Sequence, residues 1–311
     1  MTSTRPVVPV LVQFVLLALF WGSSFFLIAI GLQGLSPLQV TWARLVVGCV
    51  TLLILCVLTH QRLPLERRVW VHTWVLAVLF CVVPFTLFGW AQQQIPSGLA
   101  SIYNATTPLL AMAFATALLR TERLNLDRTA GLVLGAVGVL IIVGPWTLLA
   151  ASGPEVNLMG QLACLGATTC YGLAFGYQRR FVSPLGLPPM AVATLQVSWG
   201  AALMTVLTPV LDNPPVHITT PVVLSMLSLG AFGTGLAYVL NSSIIREWGA
   251  SNASAVTYLT PVVGVSLGVL LLGEPVLWRH GVGAFIVILG IGCAHGRLRR
   301  PQEQVATAGG S

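Results

Sequence analysis

The chain is a succession of long apolar runs separated by short polar or helix-breaking connections. A bilayer core about 30 Å thick takes about 20 apolar residues of helix to cross. Ten runs meet that length, at 8–31, 37–58, 70–91, 97–119, 128–146, 158–179, 189–210, 220–245, 249–272 and 276–295. Several connections contain Gly or Pro, as at Gly34 to Pro37, Pro96–Ser97 and Gly273 to Pro275. The pattern predicts an all-α integral membrane protein with ten transmembrane helices. The first run is too long for the core of a signal peptide and lacks a cleavage site, so it is kept as a helix. The segment 296–311 is polar and is expected to be a disordered tail.

Composition sharpens this picture. Charged residues are 7% of the chain, against roughly 25% in ordinary soluble domains. Hydrophobic residues are 56%, with a mean hydropathy of +0.89. A globule needs polar residues to cover its outside, so a soluble enzyme or a nucleic-acid-binding domain is excluded. The net charge is +7, every Lys/Arg position is arginine, and the placement of the arginines indicates topology. With the N-terminus inside, thirteen of the fifteen arginines fall on the inner side, among them Arg62, Arg67, Arg68, Arg179 and Arg180. Only Arg279 lies in an outer loop, and Arg44 lies within the second run. By the positive-inside bias both termini are expected in the cytoplasm of a multi-pass cell-membrane protein. The six cysteines all fall in apolar runs without a C-x-x-C pair and are read as unpaired thiols.

The second half of the chain repeats the first at a near-constant offset. Trp21–Gly22 corresponds to Tyr171–Gly172, and Pro37 to Pro189. Ala100–Ser101 and Pro108 correspond to Ala253–Ser254 and Pro261, offset by 153. Glu122, Gly131 and Gly138 correspond to Glu274, Gly283 and Gly290, offset by 152. An odd number of spans per copy forces the second copy to enter the membrane from the opposite side. The expectation is therefore two inverted five-helix repeats, 8–146 and 158–295, with a site near mid-membrane where they meet.

The stretch Phe20-Trp21-Gly22-Ser23-Ser24-Phe25, the opening of the second helix from Pro37 to Arg44, and the run Ile95 to Pro108 with a following loop glutamate resemble the EamA-type branch of the drug/metabolite transporter superfamily. Asn241 to Pro261, Gly273–Glu274 and Gly283 to Gly290 resemble its second copy. The resemblance covers about residues 10–295. It implies ten-helix inner-membrane carriers, many of them exporters of amino acids or related metabolites.

Candidate chemistry sits at mid-span depth. Pro108 and Pro261 lie about 16 and 18 Å into their helices and should kink them, freeing the carbonyls of Asn104 and Thr257. Polar side chains surround both points, and in lipid such groups either satisfy each other between helices or line a wet cavity. Arg44, about 10 Å into the second helix, either snorkels or plays a purely structural part, or it docks a carboxylate or other anionic group. Its counterpart in the second copy is Gln196, so symmetry is broken there. The expected cavity residues are Trp21, Ser24, Arg44, Tyr103, Asn104, Tyr171, Asn241, Thr257 and Tyr258. Gly131-x-x-x-Gly135 and Gly264-x-x-x-Gly268 are read as close-packing stripes rather than phosphate cradles. Trp70, Trp146, Trp248 and Trp278 fit an interfacial belt.

No hydrolase or metal motif appears, and no catalytic residue, cofactor or metal is expected. The partners expected are a small-molecule substrate and the lipid bilayer, without nucleic acid, and a homodimer is left open. Secondary transport by alternating access, most simply export of amino acids or their derivatives, is the leading expectation. A multidrug or cation efflux carrier of the same fold is the alternative. It would be expected to keep an intramembrane carboxylate, which this sequence does not do. A non-transporting membrane subunit stands further back.

Overall fold

The computed structural model describes residues 9–64, 66–117, 126–143, 157–211, 214–248 and 255–294. All regular structure among the described residues is helical. Helix α1 is Val10–Gly31 and α2 is Pro37–Leu58. A third long helix has two α-helical parts, α3 (Arg67–Ala77) and α4 (Val83–Ala91), joined by a π-helical turn at Val78–Val82. Short helices α5 (Ser97–Asn104) and α6 (Thr107–Ala117) follow, then α7 (Leu126–Val143). The same order recurs in the second half, beginning with α8 (Leu158–Tyr177) and α9 (Pro189–Leu211). Next come α10 (Thr220–Gly230), a π turn at Ala231–Leu236 and α11 (Ala237–Trp248). A 3-10 turn at Ala255–Tyr258 leads into α12 (Thr260–Leu272), and α13 is Trp278–Ala294.

Among the described residues six helices are long and apolar enough to cross a membrane: Val10–Gly31, Pro37–Leu58, Arg67–Ala91, Leu158–Leu185, Pro189–Leu211 and Thr220–Asn241. Their outward faces are apolar, with Val57 and Val210 each more than 70% exposed. Such faces suit hydrocarbon rather than water. Helix starts follow local chemistry. Ser36 and Gln39 form a reciprocal capping box, and Pro37 fills the first helical position, where a missing N–H costs nothing. The arginines at 5, 120, 123, 297, 299 and 300, the tail and Trp146 lie outside the described residues.

The packing pairs elements of one half with elements of the other. Helix α2 packs along α9, and α7 along α13. Helix α1 packs on α12, while α8 packs on α6. Glycines set the closest approaches. A Cβ on Gly22 would lie 2.5 Å from the Val263 side chain, and one on Gly172 would lie 2.9 Å from the Ala111 nitrogen. These are equivalent contacts, since residue 263 stands 152 beyond residue 111. At the α7–α13 crossing, a Cβ on Gly283 would sit 2.8 Å from the Gly138 carbonyl, and one on Gly290 would sit 2.7 Å from that of Gly131. The four glycines that match in sequence thus touch one another across the crossing.

The chain differs from the expected kinked helices at the two prolines. Helix α5 ends at Asn104, residues 105 and 106 form a turn, and α6 begins at Thr107. In the second half the 3-10 turn ends at Tyr258 and α12 begins at Thr260. Pro108 and Pro261 therefore occupy the second residue of a new helix. There proline is pre-organised and leaves no interior hydrogen bond broken.

Helix α5 starts against a carboxylate from the other half. The Ser97 N–H donates to Glu274 Oε1 at 2.7 Å, and the Gly98 N–H to Oε2 at 2.8 Å. The negative group meets the positive end of the helix dipole, so the bonds are charge-assisted. Gly273, in the left-handed region at φ +65°, turns the chain out of α12 and presents the glutamate. Gly268 leaves room for it, since a Cβ there would strike the Glu274 carboxylate. Glu122, the matching residue, lies outside the described residues. Replacing Glu274 with alanine is expected to cost about 1.5–3 kcal/mol. The expected readout is a lowered unfolding temperature in detergent, while the exposed Glu66→Ala control melts with the parent.

Candidate functional site

A cavity of about 620 Å³ lies between the two halves. That volume falls in the range of small-molecule sites. Helices α1, α2, α4, α6, α8, α9 and α11 all contribute to its wall, together with residues at the two helix breaks. It extends to the loop between α8 and α9, where Ser183, Gly186, Leu187 and Pro188 form a mouth.

Arg44 is the one charged residue among the described residues that line the cavity. It is 6% exposed, and its guanidinium is held from two sides. Its Nε–H donates to Thr234 Oγ1 at 2.8 Å, and Nη2 donates to the Gly233 carbonyl at 3.4 Å. The plane rests 3.6 Å over the Phe85 ring centre, a cation–π contact. Gly233 and Thr234 belong to the π turn of the other half, which supplies one backbone carbonyl and one side-chain hydroxyl as acceptors. A guanidinium carries five N–H donors, and these two bonds leave the outer ones available to a ligand.

The counterpart of Arg44 makes the counterpart contact. Gln196 Nε2 donates to Cys81 Sγ at 3.4 Å, and Cys81 lies in the first π turn. Residues 196 and 234 stand 152 and 153 beyond 44 and 81. Each half therefore hydrogen-bonds the π turn of the other through the same position, once with an arginine and once with an amide. Both side chains line the cavity.

Seven of the nine residues singled out from sequence surround this space: Trp21, Ser24, Arg44, Asn104, Tyr171, Asn241 and Thr257. Ser24 spends its hydroxyl proton on the Phe20 carbonyl, at 2.7 Å. Tyr103 lies elsewhere. It is fully buried, and its hydroxyl donates to Gln161 Oε1 at 2.5 Å in the packing between α5 and α8. Consecutive helical residues point about 100° apart, so with Asn104 at the cavity Tyr103 must face a neighbouring helix. Tyr258 has its backbone in the 3-10 turn, and its side chain lies outside the described residues.

Other lining residues did not stand out in the sequence. Tyr238 occupies the position equivalent to Phe85, at an offset of 153, and that correspondence was the available signal. Phe25, Phe88, Tyr171, Phe80 and Phe175 form a continuous aromatic wall. Their ring centres are spaced 5.3, 6.0, 5.9 and 4.9 Å in that order. Thr107, the first residue of α6, is buried, and its Oγ1 has no hydrogen-bond partner among the described residues. An orphaned hydroxyl at a cavity wall is a ready donor or acceptor for a bound molecule. Gln94 does not reach the cavity; it accepts a hydrogen bond from Asn157.

The arrangement suits reversible binding. It offers one anchored cation, an orphaned hydroxyl, amide and phenol groups and a broad aromatic face. Among the described residues no cluster of three His, Cys, Asp or Glu is placed to hold a metal.

The EamA-like transporter family matches residues 9–144 and 158–294. The chain is 25% identical over 288 residues to the uncharacterized transporter YdfC of Bacillus subtilis, covering 92% of this chain and 91% of that one. It is 26% identical over 291 residues to the uncharacterized inner membrane transporter YedA of Escherichia coli K12, covering 92% and 91%. It is 25% identical to a probable amino-acid metabolite efflux pump of Escherichia coli K12, covering 89% and 91%. A crystal structure with 19% sequence identity superposes with a TM-score of 0.66 over 94% of this chain and 99% of its own, a likeness of fold. Two matches that together span most of the sequence place this chain in the EamA-like transporter family.

Proposed function

We propose that the protein is an inner-membrane secondary transporter that exports small metabolites, amino acids or their derivatives, by alternating access. In this reading residues 8–146 and 158–295 are two inverted five-helix halves, making ten transmembrane helices, and the cavity is the substrate site. The observation that carries it is a cavity walled by equivalent positions of both halves, Arg44 with Gln196 and Phe85 with Tyr238. Rocking of such halves about a shared site is the common logic of inverted-repeat carriers. The relatives named as amino-acid metabolite efflux pumps support the substrate class. The cationic-drug alternative has nothing comparable, because the cavity's one charge among the described residues repels a cation.

The mouth at Ser183 to Pro188 lies on the side that carries Arg62, Arg67, Arg68, Arg179 and Arg180. Under the positive-inside bias this is the cytoplasmic side, and the conformation is inward-facing. The opposite end is closed by bonds between the halves: the His217 N–H donates to the Gly34 carbonyl at 2.9 Å, and Gln39 Nε2 to the Pro214 carbonyl at 3.1 Å.

Flux into liposomes reconstituted with the purified chain tests the function. Arg44→Gln is expected to slow transport of a carboxylate substrate by about 10- to 150-fold, the worth of a charge-assisted hydrogen bond of 1.5–3 kcal/mol. Equal flux in parent and variant would remove Arg44 from the site. Access is tested in a background with the native cysteines replaced. A cysteine at Asn104 or Asn241 should react with a membrane-impermeant thiol reagent in inside-out vesicles, and one at Tyr103 should not. Orientation is read with a C-terminal fluorescent protein, expected to glow in the cytoplasm and contradicted by a periplasmic signal.

A further inference from the structure

The cavity pairs one fixed positive charge with a wall of aromatic rings, and this pairing constrains the net charge of what it can hold. The break between α5 and α6 contributes both signs, since one helix ends where the other begins. Their partial charges oppose each other. Arg44 supplies the net charge. Its Nε and one Nη2 hydrogen are engaged by Thr234 and Gly233, which fixes the guanidinium and presents its remaining donors. A planar fork held this way suits a carboxylate, which it can engage through two parallel bonds.

A net charge is costly in a site walled largely by apolar groups, and more so once the site closes over its ligand. A monoanion leaves the loaded cavity neutral. A zwitterion neutralises Arg44 and brings a second cation, leaving the cavity at +1. A cation raises it to +2. Among the described lining residues no carboxylate offsets an ammonium group. The wall from Phe25 through Phe88, Tyr171 and Phe80 to Phe175 gives an apolar or planar body a face on which to lie. Thr107 Oγ1, buried without a partner, offers one further hydrogen bond to a neutral amide or hydroxyl.

We infer that the preferred ligands are monoanionic carboxylates with an aromatic or bulky apolar body and a neutral, rather than ammonium-bearing, substituent. An amino acid whose nitrogen is acylated or removed fits; the free zwitterion fits less well. This rests on the transporter reading for its physiological meaning, but the binding preference can be tested apart from flux.

Three probes share one skeleton and differ in charge. At about pH 6, N-acetylphenylalanine carries −1, phenylalanine is neutral overall, and phenylalanine amide carries +1. Affinities are measured by calorimetry on the detergent-solubilised full chain. The expected order is N-acetylphenylalanine first, phenylalanine about 10-fold weaker or more, and the amide without measurable binding. In Arg44→Gln the first two should bind within about 2-fold of each other, while Arg44→Lys keeps the order. Tighter binding of phenylalanine or its amide overturns the inference, as does binding of none of the three or an anion preference unchanged in Arg44→Gln. The ranking on the unmodified chain decides the matter even where Arg44→Gln fails to fold. Flux of the same probes is then followed in liposomes. Anion-first binding without flux of any probe leaves the charge preference standing and removes the carrier reading instead.

Discussion

A guanidinium inside a membrane protein must be held, and much of the centre of this fold is arranged around that requirement. Arg44 leaves α2 at a depth where lipid offers it nothing. Thr234, Gly233 and Phe85 supply a hydroxyl, a carbonyl and a ring face instead. Two of those three come from the π turn of the other half. The carbonyl it gives to Arg44 is a group that a regular helix would have kept for itself. The contact also ties α2 to the segment between α10 and α11, so the charge acts as a pin between halves. Gln196 makes the corresponding tie with Cys81, and there a neutral amide meets a soft sulfur acceptor. One pin is charged and strong; the other is neutral and weak.

Around these pins the halves approach each other at glycines. Gly22 and Gly172 let α1 and α8 lie directly against the helices that start after the two breaks. Gly131, Gly138, Gly283 and Gly290 do the same where α7 crosses α13. Contacts of this kind suit hydrocarbon, where close van der Waals packing takes the place of hydrophobic driving force. They leave α1, α4 and α8 to present aromatic rings to the cavity, while α2 and α9 give it Arg44 and Gln196.

Much of this was legible in the sequence, because apolar length and internal repetition are strong signals. The second helix reads as 37–58, which is where α2 lies, since Ser36 and Pro37 are unambiguous start signals. The matched glycines pointed to close packing and proved to pack on one another. Most of the polar residues singled out at mid-depth do surround the cavity. The sequence was silent where geometry turns on direction rather than position. Nothing in the row Tyr103–Asn104 says which of the two faces the cavity, and the tyrosine turned instead to Gln161. Pro108 and Pro261 read as kinks because the pattern cannot show that a helical segment ends three or four residues before proline and a new one starts one residue before it. The π turns leave no mark in composition, so the partners of Arg44 stayed hidden. The mouth between α8 and α9 looked like an ordinary connection, because its residues matter through where the chain folds back.

The single fixed charge has a consequence for how membrane voltage would act on such a carrier. In the proposed exporter a monoanion aboard would leave the cavity neutral, and the step that carries it outward would be nearly indifferent to the electrical field. With the cavity empty, the step back moves an uncompensated guanidinium through part of that field. On an inside-negative membrane the field would draw such an empty carrier towards its inward-facing form. Each full cycle then expels one negative charge, worth about 2.3 kcal/mol per 100 mV. A buried arginine of this kind could give a carrier a preferred direction with no proton or sodium ion to accompany the substrate.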